Sequence, residues 1–328
     1  MRSELGKGVE LQTHIPLKPE KNQIGYDSKL LLIGSCFVEN IGNKLEYYKF
    51  RSLQNPFGII FQPKAIEKLF YKAVNKEKFT EEDLFFLNER WHCFDVHSDC
   101  SNVSKEMVLT NLNKTLDSTF LQLQESTHVI ITLGTAWAYR LLKTNELVAN
   151  CHKVPQSQFS KELLSAEQIT DSLVNTVSVI RQVNSSAAII FTVSPVRHLK
   201  DGFVENQRSK AHLISSVHEL LNHQSKAINQ RLYYFPSYEI MMDELRDYRF
   251  YADDMVHPNQ TGINYIWEKF KQVWINADDF PFMDDVETIQ KGLLHRPFNA
   301  DSEQHKQFLK SLSEKIMYLQ KEYPFIKF

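Results

Sequence analysis

Five short apolar runs, each followed by a stretch with helical periodicity, constrain this chain more than any other feature. The runs are Leu30 to Ile33, Lys49 to Leu53, His128 to Leu133, Ala188 to Val193 and Arg231 to Phe235. Continuous apolar runs of this length fit parallel strands buried on both faces. After the first run, Phe37, Ile41 and Leu45 recur at helical spacing. After the second, Pro63 opens a helix with Ile66, Leu69, Phe70 and Ala73 on its apolar face, and residues 63–90 read as helical throughout. Residues 105–124 are helical, and Ser165-Ala166-Glu167-Gln168 has capping-box form and starts a helix to about Val183. Helices over 204–223 and from about Gln260 to Val273 complete the series. Strand then helix, five times, predicts an α/β fold with a five-stranded parallel sheet covered on both faces.

Other segments decorate this repeat. Residues 1–28 form a polar leading arm, residues 91–104 have no helical period, and Tyr139–Lys143 with Leu147–Asn150 flank a hairpin turn at Thr144-Asn145-Glu146. Residues 276–328 are rich in Asp, Lys and Glu, helical and without strands. The expected organisation is therefore one α/β domain over 1–275, with helical and hairpin insertions, and a helical extension over 276–328. A hydrophobic share of 42% and a charged share of 24% are enough for a sizeable core. A formal charge of −2, without a basic stripe, argues against nucleic acid as a partner. No apolar run approaches the roughly 18 residues of a membrane helix. The start of the chain shows no signal peptide, and Cys36, Cys93, Cys100 and Cys151 lack framework spacing. The expected setting is the cytoplasm, with reduced thiols and no membrane contact.

Two distant segments carry chemistry. Leu30-Leu31-Leu32-Ile33-Gly34-Ser35-Cys36-Phe37 places a hydroxyl between the end of a strand and the start of a helix. Free backbone N–H groups and the positive end of the helix dipole there suit a developing oxyanion. The same residues also describe a plain helix cap at Ser35. Asp253-Asp254-Met255-Val256-His257-Pro258-Asn259 offers a carboxylate three residues before a histidine, with Asp253 as a competitor for Asp254. Serine is a weak nucleophile without a base, and an imidazole oriented by a carboxylate supplies one. In open parallel sheets the loops at the carboxyl ends of strands converge, so Ser35 and His257 can meet.

These segments resemble the GSCFA family, named for a Gly-Ser-Cys-Phe-Ala motif. The matching blocks are Gly34-Ser35-Cys36-Phe37-Val38, Asn55-Pro56-Phe57-Gly58, Gly134-Thr135-Ala136-Trp137, Cys151-His152-Lys153-Val154-Pro155, Ser194-Pro195-Val196-Arg197-His198 and Asp254…His257-Pro258, across roughly residues 10–275. That family in turn resembles the SGNH/GDSL hydrolases. The resemblance implies a flavodoxin-like three-layer sandwich with Ser35 as nucleophile, His257 as base and Asp254 as the orienting acid. It also implies an oxyanion hole. Backbone N–H groups of Ser35 or Cys36 are candidates, with Gly58 in the glycine place. The superfamily's asparagine place falls in Gly134-Thr135-Ala136, where alanine has no donor. Thr135, through its hydroxyl or its N–H, or Asn55 would have to stand in.

Asn55, His97, His152, Arg197 and His198 lie on predicted loops, as does Lys153, and are candidates to bind a polar or anionic substrate group. Ordinary loop solvation explains each one equally well. His92, Cys93, His97 and Cys100 are metal-ligand types without metal-site spacing, so no metal is expected. No dinucleotide or Walker pattern is present, and no organic cofactor is expected. The functional expectation is a serine esterase or O-acyl hydrolase acting on a small ester with a short acyl group, such as an acetylated sugar. An acyltransferase using the same triad and a non-catalytic binding module on the same fold are the alternatives.

Overall fold

A computed structural model describes residues 12–222 and 231–328; residues 1–11 of the leading arm and the last position of the 204–223 helix lie outside them. The five expected strands are β1 (Lys29–Gly34), β2 (Arg51–Gln54), β5 (His128–Leu133), β9 (Ala188–Val193) and β10 (Leu232–Tyr234), all parallel, in the order β10-β9-β5-β1-β2. Numbered among themselves, they read 2-1-3-4-5 from the β2 edge, a doubly wound order whose ligand crevice lies outside the carboxyl ends near the first strand.

Alternation along the strands explains the two cores. Leu31, Ile33, Val129, Ile131, Ile189 and Phe191 face one helix layer, while Leu30, Leu32, Ile130 and Ile190 face the other. The first layer contains α2 (Pro63–Asn75), α3 (Lys105–Glu125), α4 (Ala166–Val183) and α5 (Phe203–Leu221). The second contains α1 (Cys36–Tyr47) and α6 (Gln260–Trp274), whose Trp267, Phe270 and Trp274 are fully buried. Full burial of one such side chain stabilises the fold by about 1.5–3 kcal/mol. This is the three-layer α/β/α sandwich expected from the sequence.

Residues 276–328 are helical as expected, with α7 (Phe280–Leu294) and α8 (Glu303–Glu322). They also join the second core. Tyr26 stacks on Phe50 at 4.5 Å between centroids, and Phe282 and Tyr323 close on the same ring at 4.5 and 5.0 Å. The Arg51 guanidinium lies 4.6 Å from the Phe325 ring, and Ile326 is buried.

Two local expectations are corrected. The helical reading of 63–90 holds only to Asn75; Leu84–Leu87 and Arg90–Cys93 are instead the antiparallel pair β3 and β4. Their two-residue turn, Asn88-Glu89, has φ of +48° and +60°, a hairpin turn without the glycine that usually announces it. The second hairpin, β6 (Trp137–Leu141) with β7 (Glu146–Val148), gains a third strand, β8 (Phe159–Leu163), which pairs with β6. No helix among the described residues is long and apolar enough to cross a membrane.

Candidate active site

The Gly34-Ser35 turn is built by close approach of neighbouring strands. Gly34 has φ +150°, and a Cβ there would lie 2.2 Å from the Thr132 carbonyl oxygen, so the strand end accepts only glycine. Gly34 N–H donates to Asn55 Oδ1 at 2.9 Å, and Gly34 C=O accepts from Ile60 N–H at 3.1 Å. Ser35 is the N-cap of α1, and its Oγ accepts the Phe37 N–H at 3.2 Å. It is 2% exposed and makes no hydrogen bond to His257.

This packing reassigns several expected donors. Ser35 N–H donates to the Thr132 carbonyl at 3.1 Å, so the sheet already uses it and it cannot serve an oxyanion. Gly58 has φ +73°, and its N–H closes the turn onto the Asn55 carbonyl at 2.8 Å, so that donor too is spent. The Asn55 side chain is held between Gly34 N–H and Glu39 Oε1 and braces the turn. The Thr135 hydroxyl bonds Ser209 Oγ at 2.9 Å and accepts the Trp137 N–H at 3.1 Å. Among the described residues, Cys36 N–H, at the start of α1, and Thr135 N–H have no acceptor.

The second half of the site is a tight loop. Asp254 Oδ2 accepts His257 Nδ1–H at 2.6 Å, while its Oδ1 accepts the N–H groups of His257 at 3.0 Å and Val256 at 2.9 Å. These bonds, led by the His257 backbone N–H and then its ring, hold the Asp254 carboxyl down to about 2. Met255, at φ +56°, makes the reversal that lets Asp254 reach back. Asp253 has no hydrogen bond to the ring, so Asp254 is the carboxylate the fold pairs with His257. Nε2 is left as the ring atom free to move a proton. Asn259 caps α6 through Gly262 N–H at 3.1 Å, as the sequence implied.

The loop after β9 lies between the two halves. Arg197 N–H donates to the Val256 carbonyl at 3.1 Å, and its guanidinium donates to the Met255 carbonyl and lies between the Phe203 and Tyr251 rings. His198 packs on Phe61 at 5.4 Å between ring centroids. Its Nε2 is buried with no partner, and burial, then the charges of Lys210 and His257, push its pKa down to about 3.

Two of the remaining candidates take structural roles. His152 is buried, with Nε2 on the Cys93 carbonyl at 2.7 Å and Nδ1 on Ser98 Oγ at 3.3 Å. Burial pushes it down to about 4, and its bond to the Cys93 carbonyl braces β4. His97 caps a short turn at Asp99 N–H, and its Cβ forms the wall against Gly58. The ring nitrogens of His92 go to Ser101 Oγ and the Leu87 carbonyl, and all four cysteines are free thiols.

Sequence reasoning missed Ser209 and Lys210. Lys210 is 1% exposed and donates at 2.7 Å to the carbonyls of both Gly134 and Ser194, tying the ends of β5 and β9 together. Ser209 Oγ accepts Ala136 N–H at 2.7 Å beside it. The available signal was position: Lys210 falls on the buried face of α5, three residues before Leu213.

The sequence model of the GSCFA family matches residues 29–270, and that of the GSCFA domain protein C-terminal domain matches residues 286–328. No curated protein matches the chain. Among solved structures, an acetyl xylan esterase from the rumen bacterium Butyrivibrio proteoclasticus is similar at 9% identity and a TM-score of 0.38, over 79% of this chain and 66% of that one.

Proposed function

This chain belongs to the GSCFA family, and on that premise we propose that it is a serine-dependent O-acyl hydrolase for a small ester with a short acyl group, an O-acetylated sugar being the first candidate. The single observation that carries the reading is the Asp254–His257 pair, bonded at 2.6 Å. It fixes the ring tautomer with Nδ1–H on the carboxylate and Nε2 open, the arrangement a general base needs.

In the proposed reaction, Ser35 Oγ loses its proton to His257 Nε2 and bonds to the ester carbonyl carbon. The carbonyl oxygen becomes an oxyanion, for which Cys36 N–H and Thr135 N–H are the open main-chain donors. The tetrahedral species collapses, the alcohol leaves with the proton from His257, and an acyl-serine remains. Water, deprotonated by the same ring, releases the acid and restores the serine. Asp254 holds the imidazole and balances its charge when protonated.

The Ser35 hydroxyl accepts Phe37 N–H and keeps its own O–H and a second lone pair for the base and the carbonyl carbon. Catalytic hydrogen bonds are often unmade before substrate arrives. The capped, buried serine also favours a second reading, a binding module that keeps the fold without turnover. A short-chain ester assay and a serine-directed phosphonate separate the two. The hydrolase reading expects turnover and labelling that vanish in Ser35→Ala, and labelling that vanishes in His257→Ala. A wild type that neither turns over ester nor takes the label would leave the binding module, and equal measurable rates in wild type and Ser35→Ala would overturn the role of Ser35. A rate that rises with added sugar or alcohol would assign acyl transfer to that acceptor.

A further inference from the structure

The carboxyl edge of the sheet holds a buried ring nitrogen and a buried ammonium that the reaction above does not use. We infer that His198 Nε2–H is the side-chain donor of the oxyanion site and that Lys210, which ties the Ser194 carbonyl at the start of the same loop to Gly134, is its positioning residue; this rests on the acyl-hydrolase reading of Ser35.

Four observations lead there. The first is the orphaned atom: His198 Nε2 is buried and bonds to nothing, while the backbone N–H of the same residue is fixed on Asn206 Oδ1 at 2.8 Å. Buried polar atoms are nearly always paired, and an exception calls for a partner that arrives. The second is place. Ile60 N–H bonds the Gly34 carbonyl at 3.1 Å and Gly134 N–H bonds the Phe61 carbonyl at 2.9 Å, so residues 60 and 61 strap the serine turn to the end of β5. His198 lies on the Phe61 ring, and its neighbour Arg197 is bonded to the His257 loop. It therefore lies against the strap that holds the serine turn and one residue from the bond to the His257 loop.

The third is the missing group. The turn after β5 offers no open side-chain donor: Ala136 has none, its N–H is taken by Ser209, and the Thr135 hydroxyl is bonded to Ser209 and Trp137. An imidazole from the next loop supplies an equivalent N–H. The fourth is charge. Lys210 bonds two carbonyls and, among the described residues, pairs with no carboxylate. The groups that bear on this pair are Cys36 from α1, whose thiol burial pushes up, His257 from its loop, and the Tyr238 ring at 5.7 Å from the ammonium. Among the described residues no carboxylate bears on His198, and Lys210 and His257 lie close enough to disfavour a proton on its ring. A neutral imidazole donor held in this way polarises a carbonyl without surrendering a proton.

Three variants test the inference. His198→Ala should lower kcat about 10²–10³-fold with KM nearly unchanged, the loss expected for one oxyanion donor. His198→Asn, which returns an amide donor, should recover at least about tenfold of that. Wild-type kcat in a folded His198→Ala would overturn the donor role. Ring ¹⁵N shifts give a readout independent of turnover: His198 should stay neutral from pH 8 to pH 5 in the wild type and take up protons at higher pH in Lys210→Met. Lys210→Gln serves for the same titration if Lys210→Met does not fold. A wild-type ring titrating near the ordinary value of about 6.5 would overturn the positioning role. Methylboronic acid, which forms a tetrahedral adduct on an active serine, distinguishes the levels of failure. Binding lost in Ser35→Ala but unchanged in His198→Ala sinks this inference alone; a wild type that neither binds the boronate nor turns over ester sinks the hydrolase reading and the donor role with it.

Discussion

The two halves of the candidate triad are built in opposite ways. Ser35 sits in a floor of main-chain hydrogen bonds at 2% exposure, whereas the side chains of His257 and Asp254 are 48% and 49% exposed on a loop. The serine turn is held by Thr132 on β5 and by Asn55 and Ile60 from the loop after β2. The Asp254 loop is held mostly by itself and by Arg197. The lesson is a division of labour. On the proposed hydrolase reading, the nucleophile is set where the sheet fixes it and the acid–base pair is set on an exposed loop.

That contrast can be broken. The largest effect expected is on the open half: Asp254→Asn should cut kcat about 10⁴-fold by allowing the wrong ring tautomer. Its melting temperature should match the wild type, because the carboxylate is exposed; a parallel loss of melting temperature would erase the division. Next comes the floor. Gly34→Ala should destabilise the protein by roughly 2–4 kcal/mol in urea titration, from the Cβ clash with Thr132 and the disfavoured φ. A smaller loss, about 1–3 kcal/mol, is expected for Asn55→Ala, which leaves Gly34 N–H buried and unpaired. Either variant at wild-type stability would mean that the floor is not rigid.

The smallest effect sharpens the comparison through pH. His152 and His198 are pushed down to about 4 and about 3 when folded, against about 6.5 in an unfolded chain. Between these values the unfolded chain binds protons that the folded one refuses. Their contribution to stability is therefore whole above about pH 6.5 and falls as the pH drops toward 4. The urea midpoint should be lower at pH 5 than at pH 7, and His152→Gln should flatten the slope. An unchanged slope in that variant would remove His152 from the account.

The sheet was legible because its strands are doubly buried: runs such as Val129 to Leu133 and Ile189 to Val193 cannot be amphipathic and so declare themselves. The hairpin at Asn88-Glu89 was not legible, since a left-handed turn at glutamate leaves no compositional trace. Within the site, the Asp254–His257 spacing predicted the bond between them. The fate of each N–H could not be read the same way. Whether Ser35 N–H is free depends on Thr132, which reaches it only through strand packing, and Gly58 N–H is spent in the local turn onto Asn55. Lys210 was hidden for a related reason: a lysine in a helix reads as surface until the helix face is known.

The aromatic seam around Tyr26 has a bearing on how the chain is made. Tyr26 and Phe50 emerge from the ribosome early, but Tyr323 and Ile326, which cover that face, emerge some 270 positions later. Until then the nascent sheet carries a bare aromatic face, the kind of surface that draws chaperones or neighbouring chains. A chain stopped at 275 would carry that face permanently, with its serine turn complete and its flank open.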